Sequence, residues 1–143
     1  MEKKDLDKLT VEDFRKFKGI PWKHGDTDCY GLIRNVYKDV FGIQLNNYER
    51  PDNWWDFPEM YDLYRENYTK EGFQKIEITK DNPLQVGDLI LMDIFCGVPA
   101  HGAIYIGDNH ILHHFAGRVS SIEPYIKIWV KTTVEVIRHK QFV

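Results

Sequence analysis

The chain has only two cysteines, Cys29 and Cys96, among 143 residues. Two thiols cannot build the several-bridge framework of a small disulfide-rich domain, and both are expected to be free. Positive charge is not in excess either. Lys and Arg number 19 against 22 Asp and Glu, for a formal net charge of -3, which excludes the basic footprint of a nucleic-acid binder. Short basic pieces such as Arg15-Lys16-Phe17-Lys18 read as solvated faces. No apolar run approaches a membrane span, and Met1-Glu2-Lys3-Lys4-Asp5-Leu6-Asp7 lacks the apolar stretch of a secretory signal. The zinc-binding spacings C-x-x-C and H-E-x-x-H are missing. His24, Cys29, Cys96, His101, His110, His113 and His114 therefore carry no metal-ligand pattern, and neither metal nor cofactor is expected. Repeats, low-complexity tracts and linkers are missing too, so residues 1–143 are read as a single domain.

Apolar residues make up 43% of the chain and aromatics 14%, enough for one real core. Thr10-Val11-Glu12-Asp13 opens a short helix that ends near Gly19, with Pro21 behind it. From Asp28 the residues Leu32, Ile33, Val36, Tyr37, Val40 and Phe41 recur at helical spacing, and Gly42 follows as the C-terminal glycine. Phe57, Met60, Tyr61, Tyr64 and Tyr68 predict a second amphipathic helix, with Pro58 in its first turn and Gly72 closing it. Beyond residue 73 the pattern changes to short strands: Phe73–Thr79, Asp88–Asp93, Gly102–Ile106, His110–Phe115, Val119–Tyr125 and Thr132–Arg138. Turns are read at Asp81-Asn82-Pro83 and Gly107-Asp108-Asn109. Helices first and antiparallel strands second give an α+β class.

Cys29 sits where the first long helix begins. It shares the face of Leu32, Ile33 and Val36, so it points at the core. Free N–H groups and the positive end of the helix favour a thiolate there. A cysteine nucleophile needs a base, and the base needs an orienting group. His101 opens one strand and His113 lies twelve residues later on the next, so a tight turn at Gly107-Asp108-Asn109 brings the two imidazoles together. His114 lies on the opposite face of that second strand. Cys29, His101 and His113 thus fill the roles of nucleophile, base and orienter.

Asp28-Cys29-Tyr30-Gly31-Leu32, Val86-Gly87-Asp88-Leu89-Ile90 and His101-Gly102-Ala103-Ile104-Tyr105-Ile106-Gly107 together resemble the NlpC/P60 cysteine peptidases, over about Gly19 to Arg138. Tyr30 after the cysteine and the run His113-His114-Phe115-Ala116-Gly117-Arg118-Val119-Ser120 resemble, more narrowly, the peptidase-like tail-tip assembly proteins of long-tailed phages. Some of those have a metallopeptidase-like domain in front, for which this chain has no room. The resemblance implies a papain-like fold with the catalytic helix packed on an antiparallel sheet, and a Cys29-His101-His113 triad. It also implies cleavage of peptidoglycan stem peptides, with the Cys29 backbone N–H serving the oxyanion. Partners would be other tail-tip proteins, with no nucleic acid or membrane involved. The location would be the virion tail tip of a protein made in the host cytoplasm.

Two departures stand out. Pro21-Trp22 replaces the Pro-Tyr segment of many cell-wall members, and an indole cannot do the acid/base work of a phenol. Tyr30 replaces the usual serine. Trp22, Asp28, Tyr30, His114 and Arg118 are the candidate substrate contacts. Asp28 is either a helix cap or a substrate contact, Arg118 either a carboxylate clamp or a surface ion pair, and Trp22 either a cleft wall or plain packing. Trp54-Trp55 and the helix after them form a docking patch or part of the core. Cys96 reads as structural, on a loop over the site entrance. Two other functions stay open: a structural tail-tip or tail assembly component with an unused site, and a cytosolic amidase or acyltransferase on the same fold.

Overall fold

The computed structural model describes residues 1–143. Two 3₁₀ turns, Lys3–Lys8 and Val11–Phe17, open the chain. The second is fixed by the Asp13 carboxylate accepting the Thr10 N–H at 2.8 Å, the reciprocal half of a capping box. Helix α1, Cys29–Val36, follows. It widens to π geometry over Tyr37–Phe41 and stops at Gly42, whose φ of 70° is the left-handed C-terminal conformation.

Six strands form one antiparallel sheet: β1 Phe73–Lys75, β2 Leu89–Met92, β3 His101–Gly107, β4 His110–His113, β5 Ser121–Pro124 and β6 Thr133–His139. Their spatial order is β1-β6-β2-β3-β4-β5. Alternation divides the side chains. Leu89, Leu91, Ile104, Ile106, Leu112 and Ile137 pack with Leu32, Ile33 and Val36 of α1. Ile90, Met92, Ala103, Ile111 and Val136 bury the other face beneath Tyr125 and Trp129. The α+β, papain-like reading stands, and every predicted strand is present: β1, β2, β4 and β5 are shorter than predicted, β3 is longer by a residue at each end, and β6 is displaced by one residue.

Val86-Gly87-Asp88 proves to be scaffold. Asp88 is fully buried and grips Arg138 with both oxygens, at 2.7 and 2.8 Å. This bidentate pair ties the start of β2 to the end of β6.

The second predicted helix does not form as read. Phe57–Tyr61 is a set of turns, and the only helix here is α2, the five residues Leu63–Asn67. Pro58 lacks the N–H a helix needs and pushes Phe57 out of helical geometry; Phe57 has φ -125° and ψ 62°. Met60 is consequently 62% exposed. Trp54 is buried at 4% exposure, as the core reading of this pair has it, while Trp55 is half-buried and stacks edge-on against Trp22 at the wall of a cavity.

Candidate active site

The loop before α1 and the helix itself are locked together by Asp28. Its Oδ1 accepts the Gly31 N–H at 2.8 Å and its Oδ2 the Gly25 N–H at 3.0 Å. Arg50 clamps both oxygens, at 2.8 and 3.1 Å. Gly31 has to be glycine, because a Cβ there would lie 1.6 Å from the Asp26 carbonyl oxygen. The loop therefore folds directly onto the helix start and presents Cys29 at a fixed angle. The Cys29 and Tyr30 N–H groups take no partner within the chain, as the first turn of a helix dictates.

The Cys29 thiol lies at the end of β3. Its Sγ is 3.8 Å from the Ala100 carbonyl oxygen and close to the Gly102 N–H, so it touches the backbone on both sides of His101. The Tyr64 hydroxyl of α2 is 3.1 Å from the sulfur. Cys29 and His101 line one cavity of about 220 Å³ together with Trp22, Tyr30, Tyr64 and Phe115. Burial pushes the thiol above its ordinary pKa, and the Asp28 carboxylate adds to this. Both effects oppose the thiolate expected from the helix start.

The candidate base, His101, is held through the sheet. Asp108 and Asn109, both with positive φ, make the two-residue turn between β3 and β4. The ladder starts at Gly107↔His110, and a bulge then shifts it so that Tyr105 pairs with Ile111 and Ala103 with His113. Without that extra residue His113 would face the other side of the sheet and His114 would take its place. With it, His101 Nε2 comes to 2.8 Å from His113 Nδ1. His113 Nε2 in turn meets the carboxylate of Glu123 on β5. The carboxylate sets the tautomers: it accepts the His113 Nε2 proton, His113 Nδ1 accepts the His101 Nε2 proton, and His101 Nδ1 keeps its lone pair. Trp129 packs edge-on against His113, with ring centroids 4.6 Å apart, and Phe115 against His101 at 5.3 Å. Burial holds His101 well below the usual imidazole pKa, with His113 and His114 adding to it. His101 is thus neutral and able to accept a proton near pH 7.

A thiol, a neutral imidazole with a fixed tautomer and two free backbone N–H groups are the parts of a covalent acyl-transfer site. The sequence profile of the NlpC/P60 family matches residues 19–138. The chain belongs to the NlpC/P60 family. It is 34% identical over 134 residues to tail tip assembly protein K of Escherichia phage lambda, covering 92% of this chain and 64% of that protein. To tail tip assembly protein K of Escherichia phage N15 it is 30% identical over 120 residues, covering 84% of this chain and 48% of that one. The chain therefore spans about half to two thirds of these relatives. Among solved structures, an NlpC/P60 family protein from Bacillus cereus aligns with a TM-score of 0.60 at 22% identity, over 97% of this chain and 40% of that one. The NlpC/P60 domain of the peptidoglycan hydrolase SagA aligns at 0.56 and 21% identity, over 90% and 94%. These two likenesses concern the fold.

Within this NlpC/P60 site the structure sorts the expected substrate contacts. Trp22 and Tyr30 line the cavity. Asp28 also borders it, but its oxygens are fully engaged in capping and in holding Arg50, so it is a cap rather than a substrate contact. His114 is buried behind Trp22, 5.4 Å from that ring, with Nε2 on the Arg118 carbonyl oxygen, and does not line the cavity. The Arg118 guanidinium lies over the Phe115 ring on the exposed side of its loop, also outside the cavity. Cys96 is free and lies at the cavity edge, on a loop tied to Asp93 Oδ1 through the Cys96 and Gly97 N–H groups. No cluster of three or more His, Cys, Asp or Glu is placed to hold a metal ion, and no helix is long and apolar enough to cross a membrane.

Three residues escaped sequence reasoning. Glu123 becomes visible only when the pairing of β4 with β5 sets His113 opposite Ser121. Arg50 sits in an irregular segment with no periodic signal. Tyr64 read as one more core position of a helix.

Proposed function

We propose that the chain is a tail-tip cysteine hydrolase that cleaves an amide bond in bacterial peptidoglycan stem peptides. The observation that carries the reading is that Cys29 and His101 line one cavity, with His101 bonded to His113 and His113 to Glu123 behind it. Family membership and two relatives named as tail tip assembly proteins support the class and the setting.

In this reading Cys29 Sγ attacks the amide carbonyl as its proton passes to His101 Nδ1. The tetrahedral intermediate places its oxyanion against the Cys29 N–H at the helix start. Collapse breaks the C–N bond, and His101 returns the proton to the leaving amine. Water, deprotonated by His101, then hydrolyses the thioester. His113 holds the ring of His101 and stabilises the imidazolium, with Glu123 behind it. A tail tip meets the cell wall from outside, which reconciles this substrate with a chain made in the host cytoplasm.

A second reading is a tail assembly component that makes little use of the site. The names of both relatives favour it, and so does the burial that pushes the Cys29 thiol pKa up. Digestion of purified sacculi, with soluble products identified by mass spectrometry, separates the two. The hydrolase reading expects stem-peptide fragments from the wild type and none from Cys29→Ala; intact sacculi after both would leave the assembly reading.

A further inference from the structure

We propose that Tyr64 is a catalytic residue of this site, its hydroxyl donating a hydrogen bond to the oxyanion alongside the Cys29 N–H. The inference rests on the hydrolase reading for its natural substrate, but its chemistry concerns any acyl transfer to Cys29.

Tyr64 is buried, and its hydroxyl has one partner in the whole molecule, the Cys29 sulfur 3.1 Å away. A buried phenol is ordinarily paired with a strong acceptor. A thiol is a weak one, so this contact is a poor reason to bury a hydroxyl for stability alone. The seat is also built for it. A Cβ on Gly102 would stand 2.7 Å from the Tyr64 hydroxyl oxygen and 2.8 Å from the ring carbon that bears it. Only a glycine at this position of β3 lets the phenol reach the thiol. Tyr30 holds the Tyr64 ring from the side, edge-on with centroids 6.1 Å apart.

The position fits the chemistry. When Sγ bonds to a carbonyl carbon, the π electron pair moves to the oxygen, which then lies two bonds from the sulfur. A donor already within hydrogen-bond reach of the sulfur reaches that oxygen with a small shift. Burial raises the Tyr64 pKa well above its ordinary value, and the neighbouring thiol adds to it, so the phenol keeps its proton throughout the working range. Trp22 does not compete for the position; its ring is committed to His114 and Trp55. The phenol missing from the Pro21-Trp22 segment is thus supplied to the thiol by α2.

Two reactions of Cys29 in the intact protein distinguish this role. Acylation by p-nitrophenyl acetate forms the S–C bond through an oxyanion and expels p-nitrophenolate. Alkylation by iodoacetamide forms an S–C bond with loss of iodide and passes through no oxyanion. Both rates would be measured on Tyr64→Phe, with adduct position checked by mass spectrometry and folding by thermal melting. Loss of one oxyanion donor costs about 10²–10³ in rate. The expected result is that the ratio of acylation to alkylation falls at least tenfold. Gly102→Ala, which drives the phenol off the thiol, should lower the ratio in the same way and serves where Tyr64→Phe does not fold. A smaller fall in the ratio, including equal losses in both reactions, would overturn the proposal. A wild type that acylates at Cys29 with this Tyr64 dependence yet leaves muropeptides intact would refute the substrate reading alone.

Discussion

His101 Nε2 lies 2.8 Å from His113 Nδ1, and this one contact leaves Nδ1 as the nitrogen of His101 free to take a proton. Because Glu123 anchors the far side of His113, losses should grade along the chain of bonds. His101→Ala should reduce kcat/KM about as much as Cys29→Ala, because members of a catalytic unit do not act additively. His113→Ala should cost about 10²-fold, the lower end for a general-base defect, and Glu123→Ala about tenfold, since water can partly replace a half-exposed carboxylate. His114→Ala should leave kcat nearly unchanged while lowering the melting temperature. Steady-state kinetics on the five variants checks the order; an indispensable His114 with a dispensable His113 would contradict the bulged register.

The pH dependence follows from burial. His101 is held well below 6.5, so it remains a competent base as the pH falls through the ordinary imidazole range. The acid limb of kcat/KM should therefore lie below pH 6.5. Cys29 is raised above its ordinary 9.0, so iodoacetamide should label it slowly at mildly acidic pH and faster as the pH rises past 9.0. Rapid, selective labelling of Cys29 at pH 6 would show a preformed thiolate and contradict this electrostatic account.

Asp28 and Arg50 form a buried pair, with side chains 4% and 5% exposed. Removing either leaves the other buried without its opposite charge, at a cost of about 3–5 kcal/mol. Asp28→Ala also removes the cap of α1, worth about 1 kcal/mol. Both Asp28→Ala and Arg50→Ala should unfold at markedly lower denaturant, with Asp28→Ala the lower of the two. A loss under about 1 kcal/mol in Arg50→Ala would show that the pair does not hold the loop to the helix.

If the chain works at a tail tip, it should co-purify with other tail-tip proteins. Affinity capture from phage-producing cells, followed by mass spectrometry of captured complexes and of purified virions, tests this. Recovery in tail intermediates but not in virions would mark an assembly factor that leaves. Absence from both would contradict a tail role.

How far the sequence predicted the site depended on periodicity and on distance along the chain. The run Leu32-Ile33-Val36 revealed α1, and Gly107-Asp108-Asn109 revealed the hairpin that joins His101 to His113, because both are local patterns. The stretch from Phe57 to Tyr68 misled, since its apolar spacing is helical but Pro58 blocks the first turn. Only part of the thiol's environment was legible, because the helix start is a local feature, whereas the burial that opposes a thiolate comes from the folded whole. Glu123 and Tyr64 were invisible for a related reason: each reaches the site across a strand register or a loop that no spacing in the sequence encodes.

The claim that Cys29 carries the acyl group can be read directly. The protein would be mixed with a defined stem-peptide muropeptide, quenched in acid at short times and weighed intact, and the adduct mapped by peptide fragmentation. The account predicts a transient thioester on Cys29 whose mass equals the acyl half of the cleaved peptide, and no adduct or product with Cys29→Ala. Cleavage that survives in Cys29→Ala, or an acyl group found on Cys96, would contradict it.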